Sequence, residues 1–386
     1  MVGEITQTPS AAVHSPISGS VSAIAPVQHP CGKQVLGIEI ENDGENTSCE
    51  MTGMSTPWKE AAPQEIIQKI LLCGIVGMDN DGFPIHIKLS PPADKAVDTL
   101  CINATQNEPL LFNESPLVLD HTEDFLTGVL IAKKALGAKK TLCAVTFDSS
   151  QMVETLKRIL EDARFKDIQL VLTKSKYPQG AEKVLVKTLT KRETPIGGSP
   201  LDVGCIVLNV STCYAIFNAV CKGIPLYNRI VTVAGPCVKN PKNLLVPFGT
   251  PLSYLLRHCD TDMSQVKKII VGGPLQGIAQ ADQDVPIIKT STAVLAFDTL
   301  TDGIKRFDCI GCGRCVRACP MRLTPSYLMK FVNKDKNAEA IDWGVQDCIE
   351  CGSCSYVCPS KINLVHFIKL GKYRAESCHS LQTKKN

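Results

Sequence analysis

Apolar and polar positions change rhythm several times along this chain, and each change marks a part of the protein. From Glu65 to Pro225, stretches with apolar residues at helical spacing alternate with short, continuously apolar runs. The pattern predicts helices over Ile66–Leu72, Thr122–Leu136, Met152–Ala163, Ala181–Thr190 and Thr212–Lys222, with Gly137 and Gly223 as stops. Between them it predicts strands over Thr99–Asn103, Leu142–Phe147, Gln169–Thr173 and Cys205–Asn209. Apolar strands alternating with helices build a parallel sheet covered on both faces, so this part is an α/β domain.

The chain opens differently. Ala12–Val21 places a Ser/Pro/Gly turn between short β-branched stretches, and Val35–Ile40 supplies another strand. This segment resembles half of a barrel-sandwich hybrid of the lipoyl-domain kind, without a lysine at the turn to carry a prosthetic group, and His14 reads as structural. Asn42–Gln64 is a polar linker. Near the other end, Tyr327–Val332 and Leu364–Lys372 are amphipathic helices. Thr324 before Pro325 has the form of an N-cap with proline in the first turn, and Asn363 holds the matching place.

Eight of the nineteen cysteines precede these two helices in two copies of one motif, 39 residues apart. Cys309, Cys312, Cys315 and Cys319 are followed by Pro320, and Cys348, Cys351, Cys354 and Cys358 by Pro359. Each copy reads C-x-x-C-x-x-C-x-x-x-C-P, the run that holds cubane iron-sulfur clusters in two-cluster ferredoxins. Thiolates two residues apart must wrap a small cubane, and Gly311, Gly313 and Gly352 allow the sharp path. A zinc site would use four soft ligands in pairs, a poorer match to two complete sets. Because the fourth cysteine of each run ligates the other cluster, the expected sets are Cys309, Cys312, Cys315 and Cys358, and Cys348, Cys351, Cys354 and Cys319. The 28 residues between Cys319 and Cys348 suit a mainly helical dicluster domain. The remaining cysteines read as reduced core residues.

Length and charge narrow the rest. With 386 residues and 44% hydrophobic content the chain can bury several cores. A net charge of +3, offset by about two negative charges per loaded cluster, gives no reason to expect nucleic acid. Val203–Leu226, the most apolar long stretch, is broken by Asn209, Asn218 and Lys222, which argues against a membrane span. Met1–Gln28 lacks the basic and apolar regions of a secretory signal, so the expected location is cytoplasmic, at most peripheral on the inner face of the cell membrane. Arg314, Arg317, Arg322, Lys330, Lys334 and Lys336 make the first half of the cysteine domain basic, a face suited to an acidic redox partner.

A wider resemblance is carried by G-I-V-G-x-x-x-x-G-F-P-x-H-x-K-L (74–89), Y-P-Q-G-A-E-K (177–183), N-V-x-T (209–212), V-K-N-P-K-N-L (238–244), G-G-P-x-x-G (272–277) and both cysteine runs. In this order, over nearly all of residues 10–375, they resemble the C subunit of the Rnf complex. The resemblance implies a multidomain α/β protein in four parts. These are a partial barrel-sandwich hybrid (1–50), an FMN/NADH-type α/β domain like the flavoprotein subunit of complex I (51–226), an SLBB-like β-grasp module (227–290) and an α-helical ferredoxin-type dicluster domain (291–386). It further implies two [4Fe-4S] clusters, with FMN and NADH as candidate cofactors. The implied cofactor-binding residues are Gly74, Gly77, Gly82, Lys88, Asn103, Glu108, Glu182, Asn209 and Thr212.

Departures from the family pattern leave two classes of function open. Where the family loop reads G-G-A-G this chain has Asp79-Asn80-Asp81-Gly82, which places two carboxylates where phosphate or flavin would approach. Gln106 replaces an acid in Asn103–Pro109, and Ser211 replaces a glycine. One class is an NADH-linked oxidoreductase component of an Rnf-type complex, in which FMN splits a hydride's electron pair for the clusters. The other is a non-enzymatic electron-transfer module with a decayed flavin site, serving a soluble anaerobic reductase.

Overall fold

The computed structural model describes residues 3, 9–49, 51–79, 81–105, 108–299 and 304–383, with side chains to residue 375. The chain divides into two compact units: residues 1–193 with 200–299, and residues 194–199 with 300–386.

The first unit begins with an antiparallel hairpin, β1 (Gly19–Gln28) and β2 (Gln34–Asn42), with an irregularity between Val21 and Ala23. Among the described residues upstream, strand pairing is limited to a bridge from Gly3 to Val13, so the hairpin forms one turn later than the sequence pattern suggests.

Four parallel strands follow, β3 (Thr99–Ala104), β4 (Lys140–Thr146), β5 (Ile168–Thr173) and β6 (Cys205–Asn209), in the order β5-β4-β3-β6. All residues of β3 and β6 are buried, which is why Leu100–Ile102 and Cys205–Leu208 read as apolar runs. Alternate residues divide between the faces. Leu100, Ile102, Cys143 and Val145 share a core with Phe125, Leu126 and Val129 of helix Thr122–Leu136. Cys101, Ala144 and Val207 meet Leu185 and Val186 of helix Glu182–Thr190 on the other face. Burial of each such aliphatic side chain contributes about 1.5–3 kcal/mol. Helix Thr122–Leu136 crosses helix Val210–Phe217 so closely that a Cβ on Gly128 would lie 1.9 Å from the Cys213 carbonyl oxygen. The expected helix over Thr212–Lys222 starts two residues earlier and finishes as a π turn, Asn218–Lys222, closed by left-handed Gly223.

A mixed five-stranded sheet completes the unit: β7 (Asn228–Ala234), β8 (Lys242–Pro247), β9 (Lys268–Val271), β10 (Ile278–Gln280) and β11 (Ala293–Phe297), in the order β10-β9-β11-β7-β8. Helix Leu252–His258 packs Leu252, Leu255 and Leu256 into its core. The middle strand, β11, lies beyond the expected boundary at 290, so the module extends to Phe297.

The second unit is helical: Arg314–Ala318, Pro325–Asn333, Asn337–Asp342, Ser353–Tyr356 and Leu364–Thr383. Left-handed Gly313 and Gly352, 39 residues apart, turn the chain into equivalent short helices. Residues 194–199, expected within the α/β domain, belong here, where the Gly197 N–H donates to Asp347 Oδ1 at 2.9 Å. Among the described residues no helix is long and apolar enough to cross a membrane.

Candidate functional site

The helical unit gathers the cysteine runs. Cys319 ends helix Arg314–Ala318, where Pro320 turns the chain to an extended path. That path carries Cys319 to a cavity it lines with Cys348, Cys351 and Cys354, among Leu323, Val365 and Ile368. One thiol from the first run thus stands with three from the second, as crossed ligation requires. Burial pushes the Cys348 thiol up to about 11 and Cys354 up to about 12, so these groups hold protons that metal binding would displace. Four thiols around an apolar cavity, with the Glu350 N–H 3.4 Å from Cys348 Sγ, fit a cubane. Cys315 and Cys358 share an apolar cluster with Met329 and Leu364, while Cys309 and Cys312 lie on an exposed stretch.

Among the other cysteines, Cys73, Cys101, Cys143, Cys205, Cys213, Cys237 and Cys259 are buried, as core residues should be. Cys31, Cys49 and Cys221 are exposed, contrary to that expectation, because they sit in the hairpin turn, the linker and a helix end.

The glycine loop forms a second site. Val76 and Pro84 bridge its base, and the Gly77 N–H donates to the Phe83 carbonyl at 2.8 Å. At the tip the Asp81 carboxylate accepts the Phe83 N–H at 2.9 Å and folds over Gly77, whose added Cβ would lie 2.4 Å from Asp81 Oδ1. Lys88 Nζ donates to Glu182 Oε1 at 2.6 Å and lies 3.9 Å from Asp81 Oδ2. Asp79, Asp81 and Glu182 thereby converge on one ammonium. Burial, with the Asp81 charge second, pushes the Asp79 carboxyl up to about 7. Burial pulls Lys88 down, but Glu182, Asp81 and Asp79 together outweigh it and hold its value above the ordinary one.

Other expected site residues divide between holding this loop and holding its neighbours. Asn209 Oδ1 caps its helix through the Thr212 N–H at 2.9 Å, and Thr212 Oγ1 accepts the Met78 N–H at 3.0 Å. Asn103 donates to the Gly180 carbonyl at 2.9 Å, and its own side-chain carbonyl accepts from Thr105. Left-handed Gly74 lies against the Ala12 carbonyl, and left-handed Gly82 against Thr290. Glu108 accepts the Leu275 and Gln276 N–H groups at 2.8 and 3.2 Å, holding the G-G-P loop of the neighbouring sheet. Asn80, Gln106 and Asn107 lie outside the described residues.

Sequence reasoning missed two cations behind the loop. Arg229 is 2% exposed, and donates to the Met78 carbonyl at 2.8 Å and to the Lys289 carbonyl. Lys289 Nζ donates to the Gly74 and Ala12 carbonyls at 2.7 and 2.8 Å. Burial pulls Arg229 down to about 10 and Lys289 to about 8. An arginine at the start of the apolar run Ile230–Ala234 was the available signal. Ser211, at the position expected to be glycine, offers its N–H to Glu114 Oε1 at 3.4 Å.

The flavin test is therefore divided. The sheet, the glycine backbone and Lys88 suit a nucleotide loop at strand ends. In this conformation the glycine face is covered by Asp81 and the lysine is engaged by carboxylates, so a flavin phosphate would have to displace both.

Comparison with known proteins adds lineage to this geometry. Residues 70–218 match the Nuo51 FMN-binding domain, residues 301–359 a 4Fe-4S dicluster domain, and residues 1–45 the RnfC barrel-sandwich hybrid domain. The C subunit of the proton-translocating ferredoxin:NAD(+) oxidoreductase complex of Clostridium ljungdahlii is 40% identical over 86% of this chain and 72% of its own length. Its counterpart in the Na(+)-translocating ferredoxin:NAD(+) oxidoreductase complex of Acetobacterium woodii is 34% identical over 86% of this chain and 75% of its own. A chain of an NAD+-reducing [NiFe]-hydrogenase in the H2-reduced state shares the fold at TM-score 0.58 and 18% identity, over 83% of this chain and 61% of that one. With its four-cysteine runs, FMN-type α/β domain and collinear likeness to these two relatives, the chain belongs to the RnfC family.

Proposed function

We propose that this chain is an electron-transfer subunit of a redox complex, passing single electrons through two [4Fe-4S] clusters held by Cys309, Cys312, Cys315 and Cys358 and by Cys348, Cys351, Cys354 and Cys319. The observation that carries the reading is the cavity lined by Cys319 together with three cysteines of the other run. By likeness to the relatives from ferredoxin:NAD(+) oxidoreductase complexes, NADH is the proposed two-electron partner, and the cytoplasmic face of a membrane is the proposed location. When bound, FMN supplies the exchange between hydride and single electrons. Lys88 is the residue available to meet its negative charge once Asp81 and Glu182 release the ammonium, and Asn209 and Thr212 keep the loop in register.

Anaerobically purified protein should contain about eight iron and eight sulfide, and NADH should bleach the clusters when FMN is present. One cluster, or zinc in its place, would refute the assignment.

A second reading, an electron relay with a lapsed flavin site, is favoured by the carboxylates folded over Gly77. Restoring the family's loop in D79G/N80G/D81A should then tighten FMN binding by about 1–3 kcal/mol through lost desolvation and repulsion. Tight FMN binding that this variant leaves unchanged removes the second reading.

A further inference from the structure

The geometry points to the edge around Cys309 and Cys312 as the docking site of an acidic one-electron carrier protein, which exchanges electrons with this chain through the first cluster and not the second. The inference rests on the reading of both cysteine runs as cluster ligands.

Two copies of one motif have been given different surroundings. Cys309 and Cys312 are exposed, whereas their counterparts Cys348 and Cys351 are half-buried and buried. Ile310 is 71% exposed and Phe307 55%, while Ile349, the counterpart of Ile310, lines the cavity with the thiols. Electron transfer falls steeply with distance, so the copy whose ligands reach the surface is the one a partner can reach.

Charge follows the same asymmetry. Lys305, Arg306, Arg314 and Arg317 are exposed around the first copy, with Asp308 the one acid between residues 304 and 317. Among the described residues none of these four cations forms an ion pair. Their counterparts at the 39-residue offset are Gly344, Val345, Ser353 and Tyr356, none of them charged. The second copy carries Glu350 instead, 2.5 Å from Lys372 and 3.5 Å from Lys369.

The second copy also has cations beside its ligands, but Lys372 donates to the Cys348 carbonyl at 3.1 Å and both Lys372 and Lys369 are paired with Glu350, whereas the four cations of the first copy form no ion pair among the described residues. Unpaired cations around an exposed apolar centre match the common form of a transient interface, in which charge steers the encounter and apolar contact completes it. Farther along the chain, Lys336 pairs with Glu339 at 2.9 Å, and Lys334, though in no ion pair among the described residues, follows helix Pro325–Asn333, well beyond the exposed cysteines in sequence. In each encounter one electron crosses, oxidising one side as it reduces the other, with no bond or proton exchanged.

The test uses the cluster-loaded full chain and an acidic two-cluster ferredoxin as the probe, with basic cytochrome c as the control. Affinity is measured by calorimetry at rising salt, and both clusters are followed by electron paramagnetic resonance. The natural protein should bind ferredoxin, and not cytochrome c, with affinity falling steeply as salt rises. R314E/R317E should weaken binding at least tenfold with both cluster signals retained, R314Q/R317Q should weaken it less, and K334E/K336E should leave it within twofold. Absence of ferredoxin binding, indifference to R314E/R317E, or an equal loss in K334E/K336E overturns the docking site. Missing cluster signals in the natural protein would instead overturn the underlying reading of the cysteines.

Discussion

Asp79 shows how far a single residue's chemistry can be moved by its surroundings. Its folded value of about 7, raised by burial and then by Asp81, lies well above the unfolded value of about 4. Between these values the folded chain binds more protons than the unfolded one, so this group makes stability fall as pH rises from about 4 to about 7. Asn at this position removes the ionisation. D79N should therefore match the natural protein in urea midpoint near pH 4, gain on it through that window and keep a constant advantage above it. A midpoint difference that does not change with pH would mean that the Asp79 carboxyl is not held beside Asp81 and Glu182 as described. Lys88 was legible as a site residue in the sequence, but its engagement by Glu182, 94 positions away, was not.

At the scale of elements, the cysteine loops and their helices show what a repeat can and cannot specify. The offset of 39 residues repeats the ligands, the left-handed glycines and the following helices. It says nothing of which copy is buried. Crossing makes Cys319 a member of the second set, so C319S should lose the cluster held by Cys348, Cys351 and Cys354 and retain the other. Iron analysis near four atoms per chain, with one remaining paramagnetic signal, is the expected result. Loss of the first cluster alone would show uncrossed ligation. The capping expectations at this scale were partly met: helix Pro325–Asn333 starts after Thr324 with proline in its first turn, but the Thr324 side chain makes no cap bond.

For the whole molecule, charge is the property that cluster loading changes most. The formal net charge is +3 with neutral cysteines, and two clusters at about −2 each bring it to about −1. Loaded protein should therefore focus at lower pH than the cluster-free chain, and the shift should be halved in C319S. Focusing at one position in both forms would show that the clusters are absent or that their charge is compensated by proton uptake.

What the sequence determined by itself was chemistry confined to short spans or repeated periods. Cluster ligands sit at fixed spacing because a cubane is small, and β3 and β6 carry the apolar runs Leu100–Ile102 and Cys205–Leu208 because both faces of their sheet are buried. Helix stops were visible at Gly137 and Gly223 because a left-handed residue after a helix favours glycine. Tertiary structure alone decided which side chains meet across loops. It turned Glu108 toward the N–H groups of Leu275 and Gln276, set Arg229 behind Met78, folded Asp81 over Gly77 and left Cys309 exposed where Cys348 is half-buried. Such meetings join residues of different elements, and neither hydrophobic period nor motif spacing encodes them, because both describe a segment relative to itself.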